Sequence, residues 1–336
     1  MELAEIMTKH IITYCTRGIT LLIAVVTFAF FLLMASPIDP VQSYVGAGVA
    51  ISPEQKENIE EYWGLNDPPV ERFFTWANNV LHGDFGVSMI YRQDVLSVIE
   101  DKFSKSLMLM LVAWTISGVM GLLIGLLMGA NYNKWIDRVL KSICYTLTAI
   151  PSFYLGILLL MGFAVYLAWF PIGLAGPIGV LESDVTVLER IHHMILPALC
   201  LSVVSMPGIA LHTRSKLIEA LESDYAQFAR ARGEKEYKIV LHQCFRNIIL
   251  PATMLQFASF SELFGGSVLV EQVFSYPGLG QAAVEAGTKG DAPLLLAVTL
   301  FSALFVFVGN TIGDVILHSA DPRIRGRRRI NVSSNQ

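Results

Sequence analysis

The chain has 336 residues, of which 54% are hydrophobic and only 15% are charged. Soluble domains carry about a quarter charged residues, so this composition excludes an ordinary soluble enzyme and indicates an integral membrane protein. The net charge of −4 is small, but Lys and Arg are distributed unevenly along the chain.

Six apolar runs are long enough to cross a bilayer, which takes about 20 residues as helix. The first run could be a signal peptide, but it is longer than a usual signal core and no clean A-x-A site follows, which favours a retained anchor. Pro151 interrupts the third run, and Pro197 and Pro207 lie in the fourth. The predicted spans are 18–35, 107–130, 143–170, 194–211, 248–270 and 293–317.

Residues 36–106 form a predicted external loop with short helices. Ser52, Pro53 and Gln55 have the spacing of a capping box that opens a helix, and Gly64 is placed to end it. An amphipathic VERFFTWANNVL segment follows, then a HGDFGVS turn, then a helix that leads into the second span. With few large apolar residues, this loop is predicted to cap the membrane part rather than to fold as a separate enzyme.

The distribution of Lys and Arg predicts the orientation. With the N-terminus inside, 17 of the 24 Lys and Arg residues fall on the inner side, as the positive-inside rule requires. Residues 1–17, the loop 212–247 and the basic tail 318–336 are then cytoplasmic, and residues 271–292 are external. The RIRGRRR stretch reads as a topology signal near anionic lipid rather than a nucleic-acid site. None of the four cysteines lies in an outer loop, so no disulfide is implied.

Several catalytic motifs are absent from the sequence. It has no G-x-x-x-x-G-K-[ST] loop to hold ATP phosphates, no H-E-x-x-H and no G-x-S-x-G. His192 and His193 are adjacent, so on a helix they diverge and make a poor metal pair. We therefore expect no catalytic residue, no metal site and no cofactor on this chain.

The segment DYAQFARARGEKEYK, residues 224–238, is dense with charge between apolar runs. Asp224 can cap a helix from Tyr225 to Arg232, which Gly233 then breaks, and a second helix is predicted over 234–246. Tyr225, Phe228 and Ala229 are predicted to share a face, while Ala229, Ala231 and Gly233 keep the backbone approachable. The segment is either an amphipathic helix on the membrane surface or a knob that docks into another protein.

Two acids lie inside predicted spans, where a carboxylate is costly and should face a cavity or a partner. Glu262, close to Ser259, is the best candidate for a polar residue that lines a transport path. The alternative is that its carboxylate makes a structural hydrogen bond. Asp314 lies four residues after Asn310 on the same helix face, which favours a structural polar contact.

These motifs together resemble a known family. DYAQFARARG followed by RNIILP is similar to the cytoplasmic EAA-type loop of ABC-importer permeases, with the long spacing of the peptide/nickel class. SPEQKENIEEYWGLNDP, GDFGVS, VFSYPGLGQAAVEAGTKGDAP and DPRIR also resemble that class, in the same order. Gln227 and Phe228 replace the name-giving Glu and Ala, and Ile38 stands where Gly is usual.

The resemblance implies a type I ABC importer permease fold, an all-α polytopic protein of the inner membrane with six transmembrane helices and both termini cytoplasmic. It implies four kinds of partner: a second, related permease, two cytoplasmic ATP-binding subunits that carry ATP and Mg²⁺, an external solute-binding protein, and membrane lipid. Nucleic acid is not among them. The residues implied to couple to the ATPases are Asp224, Tyr225, Phe228, Ala229, Arg230, Ala231, Arg232, Gly233 and Glu234.

The implied substrate is nickel, another chelated metal or a short peptide, and Glu262 favours the metal–chelate side. The sequence leaves two alternatives open. An ion-driven secondary transporter would use Glu262 and Asp314 as coupling carboxylates, and a membrane scaffold would have no transport role.

Overall fold

The computed structural model describes residues 2–45 and 51–320, and these residues are almost wholly helical. Within those two ranges the one β pairing is an isolated antiparallel bridge between Val87 and Asp94. The chain divides into two compact units. The first consists of Met1–Ser106 and Pro277–Phe307, and the second of Leu107–Tyr276 and Val308–Gln336.

Fourteen α-helices and two π-helical segments make up the described part of the chain. In chain order they are α1 (Glu2–Met34), α2 (Pro40–Val45), α3 (Pro53–Tyr62), α4 (Pro69–Leu81), α5 (Val95–Ala130), α6 (Trp135–Ala149), α7 (Ser152–Leu159), π1 (Leu160–Tyr166), α8 (Val187–Leu221), α9 (Asp224–Ala231), α10 (Glu236–Lys238), π2 (Ile239–Cys244), α11 (Phe245–Ala258), α12 (Phe260–Val273), α13 (Leu279–Lys289) and α14 (Ala292–Ala320).

The first unit joins the predicted external loop to α1, α13 and the first part of α14. Helix α3 opens with the predicted capping box, because the Gln55 amide donates to Ser52 Oγ and the Ser52 amide donates to Gln55 Oε1. Helix α4 places Phe73 against Phe30 of α1, with ring centroids 5.1 Å apart. Val26 and Leu296 are buried in the same cluster. The loop helices therefore share an apolar core with the spans of this unit.

In the second unit, α8 contacts α6, α7, α11 and α12. Small residues on α5 let that helix approach α8 closely. A Cβ atom on Gly125 would lie 2.5 Å from Thr213 Cβ, and one on Gly121 would lie 2.7 Å from Ile209 Cβ. Such close packing of backbones is how small residues hold helices together in a membrane, where water does not drive their association.

Four helices or helix portions are each long and apolar enough to cross a membrane: Thr16–Met34, Val95–Ala130, Val187–Leu221 and Ala292–Gly313. Two bent pairs can each supply one more span, which brings the number to as many as six. One pair is Trp135–Ala149 with Ser152–Tyr166, bent by 108°, and the other is Glu236–Ala258 with Phe260–Val273, bent by 49°. The six apolar runs of the sequence correspond to these segments.

The third predicted run, 143–170, differs most from the structure. It is not one straight helix, because the chain turns at Ile150 and Pro151 before α7 begins. Ile150 adopts an extended conformation (φ −87°, ψ 124°), as expected for the residue before a proline. Proline also lacks the amide that would continue α6.

Prolines in the fourth run act differently. Pro197 and Pro207 both lie inside α8, which continues as one helix from Val187 to Leu221. Thr186 opens this helix with a capping box to Glu189 that we did not predict. The fourth helix is therefore nearly twice as long as the predicted span 194–211, and it extends to the start of the charged segment.

Candidate functional site

The charged segment forms a short helix followed by a turn. Helix α9 begins at Asp224 and ends at Ala231. Its N-cap residue is Ser223, with extended backbone angles (φ −71°, ψ 157°), so the prediction that Asp224 caps the helix was wrong by one position. Ser223 Oγ donates to the Ala220 carbonyl at 2.5 Å. Asp224 lies in the first turn, where a carboxylate is favourable for the helix dipole.

One face of α9 packs on the chain's own helices. Ala226 and Ala229 are buried, with Ala229 only 1% exposed. Their cluster includes Leu217 of α8, Ile239 of π2 and Ile248 of α11. Alanine at these positions allows α9 to lie close to all three elements. Helix α9 is therefore held by the ends of the segments that lead to it and away from it.

This packing corrects the predicted role of Ala229. We expected it to share a face with Tyr225 and Phe228 and to allow close contact with a partner. The structure instead turns Ala229 inward, onto its own chain, while Tyr225 and Phe228 point outward. Sequence spacing identifies side chains that are neighbours on one helix. It does not tell which side of that helix is covered by other helices of the chain.

The outer face of α9 consists of Tyr225, Phe228, Ala231 and Arg232, and all four residues are exposed. Phe228 is 65% exposed. The Arg232 guanidinium lies 5.4 Å from the centroid of the Phe228 ring, and Arg232 also pairs with Glu234. Asn247 Nδ2 donates to Tyr225 Oη at 3.2 Å. An exposed aromatic beside a cation is a combination typical of interface anchors.

Arg230 fastens α9 at both ends. Its Nη1 donates to the Leu221 carbonyl at 2.9 Å, at the end of α8. Its Nε and Nη2 donate to the two carboxylate oxygens of Glu236 at 2.7 and 3.3 Å. The Arg230 guanidinium therefore contacts both the element before α9 and the element after it. Arg230 thus has an internal role in this chain.

Gly233 ends the segment as predicted. Its φ is +81°, in the left-handed region that favours glycine, and the Glu234 amide donates to the Ala229 carbonyl at 3.2 Å. A Cβ atom at Gly233 would meet nothing within 4 Å in this chain. The glycine is therefore required by backbone conformation, and the space beside it is open.

Two exposed residues beyond the predicted set lie next on the chain. Tyr237 is 58% exposed and Leu241 is 56% exposed. They lie four residues apart, on α10 and π2, so they occupy neighbouring positions on one helical side. The apolar pattern of residues 237–241 was the available signal, but we assigned this stretch only to a connecting helix.

The predicted transport-path residues lie at the bend between α11 and α12. Ser259 is the residue between the two helices, and Ser259 Oγ donates to the Gln256 carbonyl at 3.0 Å. The Glu262 side chain is exposed in the first turn of α12. The structure thus brings Ser259 and Glu262 within one turn of a bend.

Gln256 was not predicted to matter, yet it anchors this bend. Gln256 Nε2 donates to the Trp114 carbonyl at 2.5 Å, and Trp114 Nε1 donates back to the Gln256 carbonyl at 2.9 Å. A Cβ atom on Gly118 would lie 2.9 Å from the Gln256 side chain, so the glycine makes room for it. The bend of α11 is therefore tied to α5.

The other predicted polar pair is only partly described. Asn310 is exposed on α14. The side chain of Asp314 and the DPRIR stretch lie outside the described residues. The contact between Asn310 and Asp314 stays a prediction. Among the described side chains, no group of three or more His, Cys, Asp or Glu residues could hold a metal ion.

Two motifs of the first unit meet through a buried carboxylate. Asp291 Oδ2 accepts hydrogen bonds from Ser88 Oγ at 2.6 Å and from the Ile90 amide at 3.1 Å. Asp291 Oδ1 accepts from the Leu294 amide at 3.1 Å, which caps α14. We call Asp291, Ser88, Ile90 and Leu294 the outer clamp. Ser88 and Asp291 are 203 positions apart in the chain, so the sequence carries no local signal for this contact.

A second contact joins the same turn to α13. Tyr91 Oη donates to Glu285 Oε2 at 3.0 Å. Burial and the neighbouring carboxylates raise the pKa of Tyr91, so this phenol remains a donor. Burial also raises the pKa of Asp291, while the hydrogen bonds it accepts lower it. The turn over residues 83–94 is therefore fixed to α13 through Glu285 and to the start of α14 through Asp291.

Comparison with known proteins places the chain among membrane components of transport systems. Residues 121–326 match the family described as binding-protein-dependent transport system inner membrane component, and residues 7–110 match the N-terminal part of such components. The chain is 34% identical to the oligopeptide transport system permease protein AppB of Bacillus subtilis, covering 95% of this chain and 99% of that protein. It is 30% identical to the glutathione transport system permease protein GsiC of Escherichia coli, with the same coverage.

A solved structure shares the fold. An inward-facing conformation of the MetNI methionine ABC transporter matches 67% of this chain and 96% of that chain, with a TM-score of 0.53 and 18% sequence identity. At that identity the likeness concerns the fold alone.

Proposed function

We propose the substrate and the docking surface from one premise: the chain belongs to the family of binding-protein-dependent transport system inner membrane components and is the permease subunit of an ABC importer. The proposed substrate is a short peptide. The proposed docking surface for the ATPase subunits is the outer face of α9. The permease is a multi-pass protein of the inner membrane and has no ATPase site of its own. The family assignment replaces the ion-driven transporter and the scaffold considered from the sequence.

The peptide proposal is supported by the relatives. AppB is a permease of an oligopeptide transport system and GsiC of a glutathione transport system, and the chain aligns with both over nearly its whole length. The nickel or metal–chelate substrate favoured from Glu262 is not confirmed by these relatives. We propose instead that Glu262 and Ser259 line the peptide path, because a carboxylate in a span complements the ammonium group of a peptide N-terminus.

The docking proposal depends on one observation: Phe228 is 65% exposed on a helix whose opposite face is buried in its own chain. A large aromatic side chain supplies the contact area that commonly anchors an interface. The inner face, with Ala226 and Ala229, connects α9 to α8 and α11. Force applied at Phe228 therefore reaches two spans through packed side chains rather than through a flexible loop.

The remaining parts of the proposal concern the partners. We propose that a second, homologous permease completes the translocation path and that two ATP-binding subunits, which carry ATP and Mg²⁺, lie against α9 of each permease. An external solute-binding protein delivers the peptide. The N-terminus and the basic tail are then cytoplasmic, on the same side as α9, in agreement with the distribution of Lys and Arg.

The docking proposal is tested by purifying the complex with a tag on the permease. We expect Phe228→Asp to lose the ATPase subunits, because a desolvated carboxylate cannot replace the ring in an apolar groove. Leu81→Asp is the matched control, since Leu81 is 85% exposed and lies on α4 of the external loop. Retention of the ATPases by Phe228→Asp at the control level would contradict the proposal.

The substrate is tested separately. The solute-binding protein of the system is purified from cells, and its cargo is identified by mass spectrometry and by metal analysis. We expect a short peptide without stoichiometric metal. A bound metal chelate in place of a peptide would contradict the peptide proposal and leave the docking proposal unaffected.

A further inference from the structure

In the second unit, an ion pair between Asp137 and Arg214 links α6 to α8. Arg214 Nε donates to Asp137 Oδ1 at 2.6 Å, and Arg214 Nη2 donates to Asp137 Oδ2 at 2.8 Å. The Asp137 side chain is only 1% exposed and that of Arg214 is 16% exposed. Two parallel hydrogen bonds between charged groups fix the distance and the angle between the elements that carry them.

The turn before α6 is built to hold this carboxylate. Asn133 has a φ of +61°, a left-handed conformation that asparagine tolerates. Its backbone N–H donates to Asp137 Oδ2 at 3.0 Å. The Tyr132 ring lies under the Arg214 guanidinium, 5.3 Å from its centroid. Both members of the pair are therefore positioned by further contacts, and both oxygens of the carboxylate accept hydrogen bonds.

The position of Arg214 on α8 connects the pair to the docking helix. Leu217 and Ala220, within the next two turns of α8, belong to the cluster that buries Ala226 and Ala229. The Leu221 carbonyl at the end of α8 accepts the hydrogen bond from Arg230. The part of α8 that supports α9 is thus the same part that grips α6.

Net stability is a weak explanation for such a pair. The cost of removing two charges from water offsets much of their attraction, so apolar residues of similar size commonly hold helices as well. An apolar contact is less directional than a hydrogen-bonded one, so it specifies a single register between two helices less strictly. A bidentate ion pair is more specific, because two hydrogen bonds define its geometry.

We propose that Asp137 and Arg214 are positioning residues that make α6 follow the inner end of α8 when the ATPases displace α9. Without the pair, α9 still moves α8, but the movement is passed incompletely from α8 to α6. The ATPases then hydrolyse ATP without moving substrate in proportion. This inference rests on the proposed docking of α9.

The test uses the whole complex in proteoliposomes. The loaded solute-binding protein is supplied on the membrane side that carries the predicted external loop. ATP hydrolysis and uptake of labelled cargo are measured in the same vesicles. We expect Asp137→Asn to keep its ATPase subunits and to move at least about threefold less cargo per ATP, as expected for a residue that contributes to coupling. The double exchange Asp137→Arg with Arg214→Asp should recover part of the loss.

The chain offers a matched control on the same helix. Lys216 Nζ lies 2.7 Å from Glu219 Oε2, but this pair is exposed and lies within α8 alone. Lys216→Gln should therefore leave the cargo moved per ATP unchanged. Arg214→Lys keeps the charge but loses the two-pronged contact, so it should also lower the ratio.

The outcomes are distinct. A wild-type ratio for Asp137→Asn, or for Arg214→Lys if the first variant does not insert, would overturn the proposal. Loss of the ATPase subunits from Asp137→Asn would also overturn it, because the pair would then support the docking surface itself. The docking proposal fails by a different result, retention of the ATPases by Phe228→Asp, whatever Asp137→Asn does.

Discussion

The outer clamp and the outer face of α9 both come from motifs dense in polar residues, but they use those residues in opposite ways. In the clamp, Asp291 is wholly buried, and its hydrogen bonds are satisfied by Ser88 and by backbone amides of the same chain. On α9, the most prominent side chain, Phe228, remains exposed. One motif therefore fastens the chain to itself, whereas the other leaves an aromatic side chain exposed, which we propose as the docking point for the ATPase subunits.

Substitutions in the clamp should therefore have the largest effects on stability, and substitutions on the exposed face of α9 the smallest. We expect Asp291→Ala to lower the free energy of unfolding by roughly 3 kcal/mol or more, because it leaves several buried donors without an acceptor. Thermal unfolding of the purified protein measures it. Asp84→Ala, which removes an exposed acceptor in the same turn, should have a much smaller effect. Equal shifts for the two variants would contradict the account.

Within α9 the same contrast can be tested two residues apart. Ala229→Leu places extra volume into a packed cluster and should cost about 1–3 kcal/mol. Ala231→Leu adds the same atoms at an exposed position and should change stability by less than about 0.5 kcal/mol. Unfolding midpoints of the two variants provide the measurement. If both variants unfold like the wild type, Ala229 does not face its own chain.

Gly233 should show an intermediate effect. Gly233→Ala forces a Cβ atom into the left-handed conformation, which costs about 1–2 kcal/mol, although no neighbour within the chain obstructs it. The same thermal assay detects the change. Gly83→Ala is a control with a similar φ of +87° and open space around it. A cost at Gly233 far above that at Gly83 would indicate an obstruction that the structure does not contain.

The clamp should also give a pH dependence. Because burial raises the pKa of Asp291, the folded chain holds this proton more tightly than the unfolded chain. Its contribution to stability is fully present below the unfolded pKa of about 3.9 and is lost as pH rises through the folded pKa. We expect the wild type to lose stability relative to Asp291→Asn as pH rises above about 4. Parallel unfolding curves for the two proteins from pH 4 to 7 would contradict this.

The smallest effect on stability is expected at Phe228. Phe228→Ala removes an exposed ring, so the unfolding midpoint of the isolated chain should change little. Uptake by the complex should nevertheless fall at least about tenfold, as expected when an aromatic anchor of an interface is truncated. Parallel measurement of unfolding and uptake separates the two effects. A variant with normal uptake would show that Phe228 is a passive surface residue.

The sequence was informative where local chemistry decides the structure. Long apolar runs indicated the spans, Ser52 and Gln55 indicated a capping box, and Gly233 indicated the end of α9. These features depend on residues within a few positions of each other, and the backbone responds to them in the same way in most contexts.

Features that depend on distant contacts could not be predicted in this way. The direction of Ala229 depends on α8 and α11, which cover one stripe of α9. The pairs of Ser88 with Asp291 and of Asp137 with Arg214 join residues far apart in the chain. A proline indicates a break at 151, but it does not give the size of the 108° angle between α6 and the helix after it.

The most direct test of the account is a photochemical cross-link from the outer face of α9. A photoreactive phenylalanine analogue is placed at Phe228, and in a parallel complex at Leu81, and both are irradiated in assembled, transporting proteoliposomes. The account predicts a cross-link to the ATP-binding subunit from position 228 and none from position 81. An active complex that gives no cross-link to that subunit from position 228 would contradict it.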